Sequence, residues 1–161
     1  MTPDYKALIT ALVDKDVDFV IIGAIALVLH GSARVTRDLD ICYSRDPSNL
    51  KRLAGALKRF APSLRGAPKA LPFTLDDATL ASGLNFTLTS AAGDLDLFGE
   101  VTGLGPFAVV KRLSEPFTIY EREVRVMSLE GLERAKRAAG RLKDLADLAE
   151  ILEIRQRRGR N

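Results

Sequence analysis

The sequence predicts an α+β fold: a mixed β-sheet flanked by helices, with two helices at the C-terminus. Three observations predict it. Helical and strand-like segments alternate through residue 60, strand patterns dominate residues 85–127, and two amphipathic helical segments follow. Tyr5 to Asp14 places Leu8, Ile9, Leu12 and Val13 at helical spacing. Val17 to Ile22 is a β-rich apolar run, Gly23 ends it, and Ala24 to Leu29 reads as a helix that Gly31-Ser32 breaks. Asp38 to Tyr43 alternates acid and apolar residues, as a strand does. Pro47 suits a first helical turn after Asp46, and Ser48 to Phe60 is amphipathic. Ala61 to Gly83, with Pro62, Pro68 and Pro72, reads as a long loop holding at most a short strand or turn. Asn85–Thr89 and Asp94–Phe98 are two strands joined by a tight turn. Pro106–Leu113 is a short helix. Phe117–Tyr120 and Glu123–Met127 form a hairpin around Glu121-Arg122. Ser128 caps a helix that Gly140 ends near Ala139. Leu142 to Arg155 is the last amphipathic helix, with Leu145, Leu148, Ile151 and Leu152 expected inward.

The 161 residues suffice for one domain with a full core, expected over residues 1–161, with its core at about 4–155 and a basic tail at 155–161. Apolar residues are 47% and charged residues 28%, ordinary for a globular protein. The longest apolar run, Phe19–Leu29, is about half the length a membrane span needs. The N-terminus lacks the basic start and apolar core of a signal peptide. A single cysteine, Cys42, excludes an internal disulfide and a cysteine-rich metal site. A cytoplasmic location is expected. The net charge of +3 permits a nucleotide or nucleic-acid partner without requiring one. Arg155, Arg157, Arg158 and Arg160 read first as a solvated helix end that complements the helix dipole.

Chemistry is concentrated in Arg37-Asp38-Leu39-Asp40-Ile41. Alternate residues of a strand share a face, so Asp38 and Asp40 point one way and Leu39 and Ile41 the other. Two like charges roughly 6–7 Å apart repel unless something positive lies between them. An isolated Asp-x-Asp is ordinarily a solvated strand. Here the pattern returns in Asp94-Leu95-Asp96, which offers three or four acids to one patch of sheet. Hard divalent ions bind such oxygens, and Mg²⁺ typically takes one or two carboxylates plus substrate phosphates. Two metals about 3.5–4 Å apart can hold the attacking and leaving oxygens of an in-line phosphoryl displacement.

Gly23 falls one helix before the acids, at a strand-to-helix turn, where a glycine lets the backbone approach a phosphate. His30, the single histidine, reads as a packing or hydrogen-bonding residue. Cys42 reads as a small buried residue below the acids. Arg34 and Arg37 flank the acidic strand either as triphosphate contacts or as surface charges, and the sequence favours neither.

The run from Gly23 through His30-Gly31, with Arg34, Thr36, Asp38, Leu39 and Asp40, resembles minimal bacterial nucleotidyltransferases of the polymerase-β superfamily. It is most similar to the branch of abortive-infection and type IV toxin-like enzymes. Leu95-Asp96-Leu97 resembles that family's third-aspartate strand, and Lys136 to Asp147 its C-terminal motif. The resemblance covers about residues 17–43, 93–102 and 124–152. It implies the nucleotidyltransferase fold and two Mg²⁺ ions, replaceable by Mn²⁺, on Asp38, Asp40 and Asp96. It further implies phosphate contacts from Gly23 and the Ala24 amide, and nucleotide contacts from Lys136, Arg141 and Lys143, to which Arg37 is added as a nucleotide-binding candidate from its place beside the acidic strand. Asp144 and Asp147 would belong to the last helix motif. Gly23-Ala24 stands where many members have Gly-Ser or Gly-Gly, and Asp94 has no counterpart role.

The implied activity moves a nucleoside monophosphate from a nucleoside triphosphate such as ATP to a hydroxyl. The acceptor is a tRNA 3′ end, a partner protein or a small molecule, within a toxin–antitoxin or phage-defence system, alone or as an oligomer. The competing reading is a non-catalytic module of the same fold, an antitoxin-like partner or a nucleotide sensor. A plain nucleic-acid binder ranks last, since no helix-turn-helix is visible and aromatics are only 6%.

Overall fold

The computed structural model describes residues 2–160. Helix α1 (Tyr5–Asp14) leads into strand β1 (Phe19–Ile22), helix α2 (Gly23–Leu29), strand β2 (Asp38–Tyr43) and helix α3 (Pro47–Leu57), which closes in a 3-10 turn over Lys58–Phe60. Strand β3 (Ser63–Leu64) and helix α4 (Asp77–Ser82) follow. Next come β4 (Asn85–Thr89), β5 (Asp94–Phe98), a ribbon of β6 (Glu100–Val101) and β7 (Gly105–Pro106), and helix α5 (Phe107–Arg112). The hairpin β8 (Ser114–Ile119) and β9 (Arg122–Met127) precedes helices α6 (Leu129–Ala139) and α7 (Leu142–Gly159).

Seven strands form one mixed sheet in the order β3-β4-β5-β2-β1-β9-β8. Strands β1 and β2 lie inside the sheet, and their Val20, Ile21, Leu39 and Ile41 are fully buried. Strand β5 lies parallel to β2, in a register that pairs Asp38 with Asp94 and Asp40 with Asp96. Strand β1 runs antiparallel to β2 and parallel to β9. Tyr5 Oη donates to the Thr36 carbonyl at 2.8 Å, which ties α1 to the segment that enters the acidic strand.

Most predicted elements are present, and the differences have physical causes. The segment 61–83 is not all loop. Its residues 77–82 form α4, started by Asp76, whose carboxylate accepts the Thr79 N–H at 2.8 Å. The hairpin turn falls one residue earlier than expected, on Tyr120-Glu121, both with positive φ (51° and 64°). A two-residue loop with both φ positive matches the right-handed twist of its strands.

Helix α7 is rotated from the expected face. Asp144, Asp147, Ile151 and Ile154 are buried, at spacings of three, four and three residues, whereas Leu145 is 61% exposed and Leu152 46% exposed. The two buried acids meet Lys136, Arg141 and Arg34 from neighbouring segments, which satisfies their charge. The C-terminal arginines are also more engaged than a solvated end. Arg155 pairs with Glu133 at 2.7 Å. Arg158 donates to His30 Nδ1 at 2.9 Å, while His30 Nε2–H donates to the Met127 carbonyl at 2.8 Å. These two bonds fix the imidazole in its neutral Nε2–H form, and burial lowers its pKa. His30 is therefore structural. Among the described residues no helix is long and apolar enough to cross a membrane.

Tyr120 and Glu121 bear the steric cost of left-handed backbone without a side-chain role in the core. The double substitution Tyr120→Asn, Glu121→Gly raises unfolding free energy by about 1 kcal/mol in a urea titration.

Candidate active site

The register of β2 against β5 sets the chemistry. Paired residues of adjacent strands project from the same side of a sheet, and neighbouring strands lie about 4.8 Å apart. Asp38 and Asp40 on β2 thus meet Asp94 and Asp96 on β5 as a two-by-two block of carboxylates. The opposite face of the same strands carries the fully buried Leu39, Ile41, Leu95 and Leu97. The apolar face anchors the strands, so the acids cannot separate without unpairing the sheet.

Electrostatics follows from that confinement. Asp40 has its pKa raised to about 7, first by burial, then by the charges of Asp96 and Asp38. Its Oδ1 is buried without a hydrogen-bond partner. Asp96 is also raised, chiefly by burial, against the opposing effect of Arg65. Arg65 follows β3 at the sheet edge, and its guanidinium spans β4. One terminal nitrogen lies 2.8 Å from Asp96 Oδ1, and Nε lies 3.2 Å from Asp94 Oδ2. The sequence reading left both Arg65 and the role of Asp94 unassigned. No local pattern marks Arg65, which sits in an irregular proline-bearing segment. The unmet charge of a second acid pair was the available signal.

Gly23 closes the other side. Its φ is +67°, and a Cβ there would run into Asp40 Oδ2. Glycine alone brings the start of α2 against the carboxylate. Ala24 lies beside it, half-buried, in the first turn of α2. A cavity of about 420 Å³ opens here, lined by Gly23, Asp40, Asn85, Glu100, Lys136 and Arg141 among others. Its walls combine apolar side chains from α6 with charges of both signs.

Lys136 faces this cavity from α6 and pairs with Asp147 at 2.8 Å and Asp144 at 3.4 Å. Its charge acts on Asp40 in the direction of ionisation. Asp144 accepts the Arg141 backbone N–H at 3.0 Å and Arg141 Nε at 2.9 Å, capping α7. Its carboxyl is held down at about 2, chiefly by that Arg141 hydrogen bond. Arg34 pairs with Asp147 at 2.7 Å and Glu150 at 2.9 Å, so it braces α7 and is no free surface charge. Arg37 and Lys143 are exposed and do not line the cavity. Cys42 is fully buried and its thiol is pushed up to about 12 by burial.

The donors suit a hard divalent cation in kind. They are carboxylate oxygens, clustered on one face, one of them buried and unpartnered. They do not form a closed cage as they stand. Among the described residues no three His, Cys, Asp or Glu side chains are arranged to hold a metal ion by themselves, and Arg65 engages Asp96.

No protein-family model matches the chain, and no curated protein matches it by sequence. Solved structures do. The lincosamide antibiotic adenylyltransferase LnuA, bound to lincomycin, aligns with a TM-score of 0.60 at 16% identity, over 96% of this chain and 99% of that one. ANT(2″)-Ia in complex with adenylyl-2″-tobramycin gives 0.58 at 13% identity, over 91% and 84%. An antigenic nucleotidyltransferase-like protein of Paracoccidioides brasiliensis gives 0.59 at 16% identity, over 93% and 73%. This chain has the nucleotidyltransferase fold.

Two outcomes follow from the crowding at Asp40. Without divalent ions the folded protein holds a proton on Asp40 more tightly than the unfolded chain does. Stability from this group therefore falls as pH rises from about 4 to about 7. Asp40→Asn removes that dependence, so in chelator at pH 8 its Tm exceeds that of the wild type, and below pH 4 the two converge. Gly23→Ala strains the backbone and displaces Asp40, lowering unfolding free energy by about 1–3 kcal/mol in denaturant titration.

Proposed function

We propose that the protein is a divalent-metal-dependent nucleotidyltransferase that moves a nucleoside monophosphate from a nucleoside triphosphate to a hydroxyl acceptor. The observation that carries this reading is the convergence of Asp38, Asp40 and Asp96 on one sheet face, with Asp40 Oδ1 buried and unpartnered beside an open cavity. Asp38, Asp40 and Asp96 would hold two Mg²⁺ ions, with Mn²⁺ as a substitute. Those ions would supply charge neutralisation at the attacking and leaving oxygens.

The chain's own groups do the rest. The acceptor hydroxyl oxygen forms a bond to the α-phosphorus, the bond from that phosphorus to the bridging oxygen breaks, and pyrophosphate leaves with the electron pair. Asp96, the third carboxylate on the shared sheet face, would take the hydroxyl proton. Gly23 permits close approach of backbone at the start of α2, where the Ala24 N–H offers a phosphate contact. Lys136, held in direction by Asp144 and Asp147, offers a fixed positive charge to the triphosphate from the cavity wall. Arg141, half exposed at the cavity, extends that surface.

The structural neighbours named for antibiotic adenylyl transfer favour a small-molecule hydroxyl as the acceptor class to try first. A tRNA 3′ end and a co-encoded partner protein, as in a toxin–antitoxin or phage-defence pair, are the macromolecular acceptors to compare. Transfer of α-labelled nucleotide from each of the four triphosphates to these three acceptor classes tests the reading. Mg²⁺-dependent labelling that falls at least about 10²-fold in Asp40→Asn is the expected result. Absence of labelling on every acceptor, with the same background in Asp40→Asn, rejects it.

A further inference from the structure

The acid block has a resident cation of its own. Arg65 reaches over β4 from the sheet edge. One terminal nitrogen is 2.8 Å from Asp96 Oδ1, and the same nitrogen also donates to the Leu88 carbonyl. Nε lies 3.2 Å from Asp94 Oδ2 but is not aligned to hydrogen-bond it. The contact with Asp96 is therefore directed, and the contact with Asp94 is a charge pairing. Among the described residues Arg65 is the ion-pair partner of both Asp96 and Asp94, and neither acid pairs with another cation. The guanidinium thus engages one oxygen of a carboxylate that a divalent ion on Asp38, Asp40 and Asp96 would share.

We infer that Arg65 is a positioning residue that competes with the divalent ion for Asp96, and that Asp94 moderates this competition by drawing Arg65 toward the outer acid. This rests on the nucleotidyltransferase reading above. Three features support it. The block holds four carboxylates where three ligands suffice, and the fourth, Asp94, meets Arg65 by charge without a directed hydrogen bond. Arg65 is anchored at an edge: β3 is two residues long and pairs only with β4. Its side chain is 28% exposed, so rotation about its torsions frees Asp96 while the backbone bond from Arg65 N–H to the Thr87 carbonyl stays in place. In the ion-free protein the guanidinium restrains carboxylates that would otherwise repel one another. An ion taking Asp96 would release the guanidinium from that carboxylate.

Arg65 and Asp94 should then act with opposite signs. A guanidinium competing for one ligand weakens ion binding, so its removal tightens binding. Removing Asp94 leaves Arg65 with Asp96 as its sole partner and weakens it. Mn²⁺ titration by calorimetry on chelator-treated protein tests this with wild type, Arg65→Gln, Arg65→Lys, Asp94→Asn and the double variant Arg65→Gln/Asp94→Asn. Arg65→Gln is expected to bind Mn²⁺ about tenfold more tightly than wild type. Arg65→Lys, which keeps the charge but loses the planar fork, falls between them. Asp94→Asn binds more weakly, and this loss disappears when Arg65 is already glutamine. Ion-free Arg65→Gln has a lower Tm than wild type, and Mn²⁺ restores it. Should Arg65→Gln fail to fold, the comparison of Arg65→Lys with wild type carries the same sign.

Equal or weaker Mn²⁺ binding by Arg65→Gln and Arg65→Lys, in a protein whose binding is abolished by Asp40→Asn, overturns the role of Arg65 and leaves the nucleotidyltransferase reading standing. Absence of Mn²⁺ binding in every variant overturns both. A loss from Asp94→Asn that persists in the double variant overturns the part assigned to Asp94.

Discussion

Repulsion among carboxylates that the sheet will not let separate is the constraint on which the rest of this structure depends. Strands β2 and β5 are held in register by leucine and isoleucine side chains on their buried face. Their other face must then carry four acids within a few ångströms. Such an arrangement is unfavourable unless positive charge is supplied. The protein supplies some of it. Arg65 stands on the β4 side and Lys136 on the cavity side, and both act on Asp40 in the direction that favours ionisation. Even so, Asp40 remains poised near neutrality, and one of its oxygens has no partner. The fold stores an unmet electrostatic demand at one place, and that place adjoins the cavity.

The helices at the C-terminus serve the same constraint from a distance. A lysine aimed into a partly buried site needs partners to hold it, and Asp144 and Asp147 provide them. Those two acids turn the polar side of α7 inward, and the remainder of that face closes on Ile151 and Ile154. Arg34 braces the outer side of the same pair. The chain of contacts runs from the segment before β2, through α7, to Lys136 and the cavity. A charged network thus takes the place usually held by a leucine seam between helices.

Much of this was legible in the sequence, for reasons that are local. Period-two alternation in Asp38–Tyr43 and Asp94–Phe98 fixed both strands to the residue and assigned each acid to a face. Capping chemistry at Ser128 and the left-handed Gly140 bounded α6. What the sequence left open was non-local. Arg65 reaches its partners across a strand that is twenty residues away in the chain order, and nothing in Ser63-Leu64-Arg65-Gly66 announces that reach. The inward face of α7 was misread because leucines at helical spacing ordinarily mark the core, while here buried acids satisfy Lys136, Arg141 and Arg34. Helix α4 was missed because its six residues are too few to show a period.

The clamp on Lys136 couples the placement of a cavity-facing cation to the docking of the final helix. Any event that peels α7 from α6, whether local unfolding or a competing partner, strips the lysine of both its anchors at once while every residue of the acid block stays in place. The terminal helix therefore works as a tether whose opening equilibrium is read out at the opposite end of a chain of ion pairs. The position of the lysine and the attachment of the last helix become one measurable quantity.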